Sequence, residues 1–234
     1  GSERMRIDSS GNVGIGLTSP QAEIHTHRTG SSESAIRFTN GITGSTSSDG
    51  FRVGIDINED GVVWMHENEP ILFGTNSTER MRIQAGGGIS FNGDSAAANA
   101  LSDYEEGTYT TSLVAGTSGS IFMTTGSSTL SYVKVGDIVH IQGYLRVDSV
   151  SSPTGRININ LPFTCKSGNQ YRSAVLVSFN SIASGNIADM WAIIEAGSSQ
   201  IHIYMGDGTN VQSDAANAMQ AGSDVRIQAT YQVA

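Results

Sequence analysis

Charged residues are scarce in this chain of 234 residues, at 15% of the total against roughly 25% in an ordinary soluble domain. The basic residues are the scarcer kind: 13 lysines and arginines stand against 22 aspartates and glutamates, for a net charge of −9. No basic run or stripe offers an electrostatic footprint for nucleic acid, and no apolar run is long enough to span a bilayer. We therefore expect neither nucleic-acid binding nor membrane insertion.

Cysteine is almost absent, and Cys165 is the single example. One thiol cannot form a disulfide within its own chain. Cys165 ends the run INLPFTC, and no residue nearby marks a base that would activate it as a nucleophile. We interpret Cys165 as a small, buried or half-buried apolar residue.

Glycine is abundant, with 28 copies, and isoleucine, valine and threonine outnumber leucine. This balance favours strands joined by tight turns over helices, and it predicts an all-β fold. Gly1 and Ser2 read as a cloning remnant and are excluded from reasoning about the fold. The sequence after them begins inside a repeat, so we expect the chain to be the C-terminal part of a longer protein.

The pentapeptide Glu-Arg-Met-Arg-Ile occurs at residues 3–7 and again at 79–83, each time before a glycine-rich turn and a short strand. Alternation of period two places methionine and isoleucine on one face and the arginines on the other. The runs SAIRFTN, GFRVGIDI, VVWMH and PILFGTN predict further short strands between the copies. Such strands cannot enclose a core alone. We predict an intertwined homotrimeric β shaft segment over residues 1–97, in which other copies cover the strand edges.

Residues 98–234 have longer strands with cleaner alternation. The run IVHIQGYLRV and the run RININLPF each place apolar residues on one face and polar residues on the other. The predicted inward residues are Val139, Ile141, Leu145, Val147, Ile157, Ile159, Leu161 and Phe163. About eight such strands with turns between them indicate a β-sandwich of jelly-roll type, which we predict to be the head domain.

Three stretches resemble bacteriophage tail-fibre proteins. ERMRIDSSGNVGIG followed by TSPQAEIH is similar to a repeat in many of these fibres, and DGFRVGIDINEDGVVWMHENEPILFGTNSTERMRI resembles another common stretch. ALSDYEEGTYTTSL with YVKVGDIVHIQGYLRV is similar to the start of their C-terminal heads. The resemblance covers most of the first half and the opening of the second. It implies a parallel homotrimer whose distal head contacts the host surface.

Two histidines form the first candidate metal site. His25 and His27 in EIHTH are two residues apart and so share a face of a strand. In a parallel trimer they would place six imidazoles around one axis, an arrangement that suits an octahedral transition metal. The alternative is an ordinary surface pair, and both interpretations stay open.

A second candidate metal motif is DINEDGVVWMHE. Asp56, Asn58, Asp60, Gly61 and Glu67 match the spacing of a helix-loop-helix calcium loop. The flanking runs are strand-like instead of helical, which argues against calcium. We expect a β-hairpin that turns from Asn58 to Gly61.

Paired carboxylates would indicate glycoside hydrolysis, which needs two such groups across a groove. Glu105 and Glu106 are adjacent and would point to opposite faces of a strand, and we expect them, like Glu67 and Glu69, to lie in turns. No convergent catalytic site emerges, so we predict that the chain is not an enzyme.

Exposed aromatic rings and a long polar loop are the candidates for ligand recognition. Tyr144, Tyr204 and Trp191 could stack on a sugar ring, with packing between subunits as the alternative for Tyr144 and a place in the core as the favoured interpretation of Trp191. The segment from Asp207 to Asp224 reads as a recognition loop on a rigid scaffold. The predicted ligand-binding residues are Asp189, Tyr204, Asp207, Thr209, Asn210, Gln212, Asp214 and Asn217.

These observations predict the tip of a phage tail fibre that attaches the virion to the host cell, by binding a surface glycan or protein. Its other partners would be two further copies of the chain and the upstream fibre segments. It would be assembled in the host cytoplasm and act outside the cell as part of the virion tail. Two alternatives stay open: a tailspike depolymerase acting on capsular or lipopolysaccharide glycan, and a bacterial trimeric adhesin.

Overall fold

The computed structural model describes residues 3–183, 189–206, 211–212 and 214–233. The chain divides into two compact units, Gly1–Ala100 and Leu101–Ala234. Among the described residues, helical structure is limited to three short 3-10 segments, Ala97–Asn99, Asn169–Tyr171 and Ala215–Ala218. The predicted all-β class is confirmed. No described segment is a helix long and apolar enough to cross a membrane.

The N-terminal unit contains three separate three-stranded sheets among its described residues. Neighbouring strands are antiparallel except for β2 and β3, which run parallel. The strands are β1 (Met5–Ile7), β2 (Val13–Ile15), β3 (Ile24–Thr26), β4 (Ser34–Phe38), β5 (Phe51–Ile55), β6 (Gly61–Met65), β7 (Ile71–Thr75), β8 (Thr78–Ile83) and β9 (Ile89–Phe91). The four runs predicted as strands between the repeats correspond to β4–β7, so that prediction is confirmed.

The two copies of the repeated pentapeptide form the same hairpin. Met5 pairs with Ile15 across β1 and β2, and Met81 pairs with Phe91 across β8 and β9. The offset is 76 residues in both strands, from 5 to 81 and from 15 to 91. The sequence repeat is therefore also a structural repeat.

Each copy contains the same ion pair and the same hairpin ending. In the second copy the Nε and Nη2 atoms of Arg82 donate to the two carboxylate oxygens of Glu79, both at 2.6 Å, and Arg6 makes the same paired contact with Glu3. The hairpins end at Gly16 and Asn92, which both have positive φ angles. Glycine and asparagine are the residues that adopt this conformation most readily.

The N-terminal unit leaves its apolar side chains exposed. Among residues 3–100, the only buried ones are two glycines, Pro20 and Ser90, and the buried apolar core of the described chain begins at Leu113. The large apolar side chains exposed in this unit are Met5, Ile7, Ile15, Ile24, Ile36, Phe38, Ile42, Val53, Ile55, Ile57, Val63, Trp64, Leu72, Phe73, Ile83 and Phe91. The unit therefore lacks a hydrophobic core of its own.

The C-terminal unit is built on one sheet of eleven strands among its described residues. These are β10 (Tyr104–Thr110), β11 (Val114–Ala115), β12 (Ser118–Met123), β13 (Thr129–Val135), β14 (Ile138–Thr154), β15 (Ile157–Asn160), β16 (Ser173–Asn180), β17 (Asp189–Ile194), β18 (Gln200–Gly206), β19 (Val211–Gln212) and β20 (Asp224–Gln232). The strand order is β10-β13-β14-β20-β16-β17-β18-β15-β11, with β12 alongside β14 and β19 alongside β18.

This sheet curls around a single core instead of forming the two separate sheets of a jelly-roll sandwich. The cause is β16, which pairs with β17 from Ser173 to Val175 and with β20 from Leu176 to Asn180. Because one strand joins both halves, the sheet is continuous. Jelly-roll connectivity stays a prediction.

The core follows the predicted alternation. Seven of the eight residues predicted to point inward are buried, namely Val139, Ile141, Leu145, Val147, Ile157, Ile159 and Leu161. The eighth, Phe163, is partly buried and packs against the core. Cys165 is also buried, at 1% exposure, which confirms its interpretation as an apolar residue. Burial raises the pKa of its thiol, which disfavours the reactive thiolate.

Candidate functional site

The predicted recognition residues lie at one end of the β17–β18 pair and in the segment that follows it. Asp189 begins β17, opposite the last residue of β18. Gln212 lies in β19, which adds to the other side of β18. Asp207, Thr209 and Asn210 lie outside the described residues. The topology thus places Asp189 and Gln212 on the two strands that flank β18, at the end where β18 finishes.

The later part of the predicted loop is anchored to the core. Asp214 precedes the 3-10 segment Ala215–Ala218, and Asn217 is the exposed residue of that segment. The alanines on either side of Asn217 are buried, and the backbone N–H of Ala216 donates to the Gly155 carbonyl at 2.9 Å. The sequence suggested a free loop here, but the small alanines fit into the core and fix the segment.

Tyr204 forms an aromatic stack with Trp191 on the outer face of the sheet. The two residues are paired across β17 and β18, with ring centroids 4.7 Å apart and planes 23° from parallel. Trp191 is 36% exposed. Its interpretation as a core residue is therefore wrong, because Met190, Ala192 and Ile194 are the residues of β17 that point inward.

Polar groups from β15 and β18 border the stack. Arg156 donates from Nη1 to the hydroxyl of Tyr204 at 3.2 Å, and from Nε to Oδ1 of Asn158 at 2.8 Å. No carboxylate among the described side chains forms a salt bridge with Arg156. Asn158 pairs with His202 across β15 and β18. The result is an aromatic surface with hydrogen-bonding groups beside it.

His202 lies beneath this polar border. Its ring meets that of Tyr204 edge-on, with centroids 6.4 Å apart. Its Nδ1 atom is buried without a partner among the described residues. Burial lowers the pKa of His202, and the positive charge of Arg156 lowers it further, while Glu195 acts in the opposite direction. His202 is therefore neutral at neutral pH.

The sheet forks next to Trp191. Val175 of β16 pairs with Ala192, but from Leu176 onward β16 pairs with β20 instead. Beyond Val175, β16 therefore no longer runs beside β17, and it does not flank Trp191 on the side opposite Tyr204. Leu176 is 69% exposed and lies at the same fork. Tyr204 thus covers one side of the indole, and the fork opens the sheet on the other.

The second aromatic candidate, Tyr144, is held in a polar contact. Its hydroxyl donates to Oδ1 of Asp224 at 3.1 Å and accepts from Nη1 of Arg146 at 3.4 Å. These bonds fix the ring on the outer face of β14 and β20. Tyr144 has no aromatic neighbour among the described ring pairs.

The histidine pair lies on and just after β3 in the N-terminal unit. The Nδ1 atom of His25 accepts a hydrogen bond from the backbone N–H of Gln21 at 3.2 Å. A neutral imidazole has one unprotonated nitrogen, so this bond leaves the proton on Nε2 and works against metal ligation there. No group of three or more potential metal ligands occurs among the described residues. Metal binding by His25 and His27 in a trimer stays a prediction.

The calcium-like motif is a hairpin, as expected from its strand-like flanks. It connects β5 and β6. Oδ1 of Asp56 accepts from the backbone N–H groups of Asn58 and Asp60, at 2.8 and 3.0 Å. Glu67 accepts from the backbone N–H of Gly50 at 2.8 Å. These carboxylates bind backbone groups that shape the turns.

The acidic pair is placed differently from its prediction. Glu105 and Glu106 lie in β10, which pairs with β13, and not in a turn. Their burial alternates, with Glu105 half-buried and Glu106 exposed, so they point to opposite faces as expected. Glu106 accepts a hydrogen bond from the hydroxyl of Tyr104 at 2.8 Å. This pair does not provide two carboxylates across one groove.

No known protein-family profile matches the chain, and no curated protein sequence matches it either. Among solved structures it is similar to the Dettilon tailspike protein, with 25% sequence identity, a TM-score of 0.49 and 55% of this chain covered. The match spans 24% of the tailspike chain. At this TM-score the likeness establishes neither fold nor function.

The same comparison corrects one prediction. The chain was predicted not to be an enzyme, and the tailspike protein among similar solved structures stands against that prediction, which is withdrawn. The prediction rested on the lack of a convergent acidic pair in the sequence, and a sequence does not display which carboxylates converge in space. The absence of such a pair in the sequence therefore does not exclude catalysis.

Proposed function

We propose that the chain is part of a phage tail that attaches the virion to the host surface. Residues 3–100 form a shaft segment with two further copies of the chain, and residues 101–233 form a head that binds a surface glycan. One observation carries the proposal: the N-terminal unit exposes its apolar faces, while the C-terminal unit encloses a complete core.

The exposed apolar faces need a partner. Three-stranded sheets become stable when a hydrophobic face packs against something, and burying one isoleucine side chain contributes roughly 1.5–3 kcal/mol. A second copy is the partner that always presents matching strands, because the same unit occurs in every chain. The resemblance to tail-fibre repeats leads to the same assembly, with three copies.

The C-terminal unit has the properties of a recognition module. Its core is closed, so its outer face and loops are free to vary without loss of the fold. A trimer carries three such modules, and several fibres act together, so weak sites combine into strong attachment. The predicted ligand-binding residues on this unit, among them Tyr204, Asp214 and Asn217, belong to this proposal.

The proposal is tested in two measurements on the purified chain. Light scattering is expected to give three times the chain mass without added ligand. The protein is also expected to block adsorption of the corresponding phage to its host cells. Asp214→Ala and Asn217→Ala should weaken that block without loss of the trimer, whereas Thr46→Ala in the N-terminal unit should not. A monomer, or head variants that block as well as the parent, would contradict the assignment.

A glycan-degrading tailspike is the second candidate, and the Dettilon tailspike is the observation behind it. Incubating the chain with host capsular or lipopolysaccharide glycan separates the two functions. A binder leaves the length of the glycan chains unchanged, whereas a depolymerase shortens them over time.

A further inference from the structure

The outer face of β15, β18 and β17 presents an indole that is stacked on one side and remains partly exposed to solvent. Trp191 is stacked on Tyr204, and Tyr204 is fixed in turn by its hydrogen bond from Arg156. Side-chain freedom is therefore already restricted before any ligand arrives. A preorganised site loses less free energy on binding than a mobile one.

The position of this indole needs an explanation. A tryptophan on the outside of a sheet exposes apolar area to water, and the core just beneath it is already filled by Met190, Ala192 and Ile194. The cross-strand stack on Tyr204 accounts for one face of the ring, while the rest of its exposed area faces water. A ligand with one apolar face and polar edges would cover the indole and remain hydrated elsewhere.

We propose that Trp191 is the stacking platform for a pyranose ring of the glycan, with Arg156 and Asn158 as the groups that contact its hydroxyls. This inference rests on the proposed function and names the site within it. The C–H face of a pyranose packs against an aromatic face, and a small number of placed polar groups then fixes its orientation.

The fork of the sheet determines the side from which the sugar ring reaches the indole of Trp191. Tyr204 covers Trp191 on the β18 side, so the sugar approaches from the side where β16 turns away toward β20. The exposed side chain of Leu176 lies at that opening and offers a second apolar contact. His202 beneath the border is neutral at neutral pH, so it adds no charge to the site.

The chain offers a direct reporter for this site, because Trp64 and Trp191 are its two tryptophans. In a Trp64→Phe protein the tryptophan fluorescence, excited at a wavelength that tyrosine does not absorb, comes from Trp191 alone. We would titrate this protein with a panel of isolated bacterial capsular and O-chain glycans. The glycan that binds is expected to shift the emission of Trp191 to shorter wavelength as water leaves the indole.

Two substitutions then test the role of the ring itself. Trp191→Ala is expected to weaken binding of that glycan at least tenfold, and Trp191→Phe, which keeps an aromatic face, should retain part of the affinity. Trp64→Phe alone is the matched control and should bind like the parent. Light scattering on each variant checks that the assembly is unchanged.

The outcomes separate this inference from the proposal on which it rests. If a glycan binds and neither the emission nor the Trp191→Ala affinity changes, the platform is placed wrongly while the attachment function stands. If Trp191→Ala dissociates the trimer, the face is a contact between chains and the inference is also overturned. If the parent protein binds neither host cells nor any glycan, the attachment function itself fails.

Discussion

Replacing Ile7 with glutamine tests whether the apolar face of the repeated hairpin is covered by other copies of the chain. Ile7 is 68% exposed in the single chain. Full burial of an isoleucine contributes about 1.5–3 kcal/mol, so covering the remaining two thirds contributes about 1–2 kcal/mol per chain. A trimer contains three copies, which gives about 3–6 kcal/mol. Since 1.4 kcal/mol is a factor of ten, Ile7→Gln should raise the dissociation constant of the trimer by about 10²–10⁴.

The assay is light scattering over a dilution series, which gives the mass as a function of concentration. Arg6→Gln is the control, because Arg6 lies on the opposite face of the same strand and pairs with Glu3 of its own chain. An exposed ion pair contributes about 0–1 kcal/mol, so this change should leave the dissociation curve almost unmoved. Identical curves for the two variants would show that the Ile7 face is not an interface.

Three further predictions concern the C-terminal unit. Tyr109→Phe should raise the free energy of unfolding by about 1 kcal/mol, because its buried hydroxyl lacks a partner among the described residues. Tyr231→Phe should lower it by a similar amount, because the Tyr231 hydroxyl donates to the Phe163 carbonyl at 3.0 Å. Denaturant melts measure both changes, and the reverse order would refute the assignment. The lowered pKa of His202 means that the folded unit favours the neutral ring. Its contribution to stability is complete above the usual value of 6.5 and is lost as the pH falls through the lower folded pKa. The melting temperature should fall in that window and should fall less in His202→Gln; equal slopes would contradict this. Cys165 should react with a thiol reagent only as fast as the unit unfolds, and immediate labelling of the native protein would show that the thiol is accessible.

The sequence predicted the inward residues of β14 because only one face of that strand is apolar. The same reasoning failed at β17, where Trp191 and Ile193 on the outer face are as apolar as the inward residues. Alternation carries no information when both faces are apolar. The position of Trp191 follows from its pairing with Tyr204, and register between distant strands is not visible in a local pattern.

Small residues explain a second difference between the prediction and the structure. Ala215 and Ala216 stand within a polar run and gave no signal of burial, yet both are fully buried. An alanine methyl group can fill a narrow space in the core, but a single alanine in a polar run does not indicate burial in the sequence.

The strand at Glu105 was missed for a different reason. β10 carries polar residues on both faces, so no alternation marks it, and it is defined by its pairing with β13.

The repeated hairpin has a consequence for how such a protein can change over generations. Its ion pair, its turn and its closing residue all lie within the hairpin itself, and the second copy reproduces them at a constant offset. A gene duplication of such a segment therefore copies a complete local structure, with its own turn and its own ion pair. The number of these segments and the sequence of the C-terminal unit can then diversify separately.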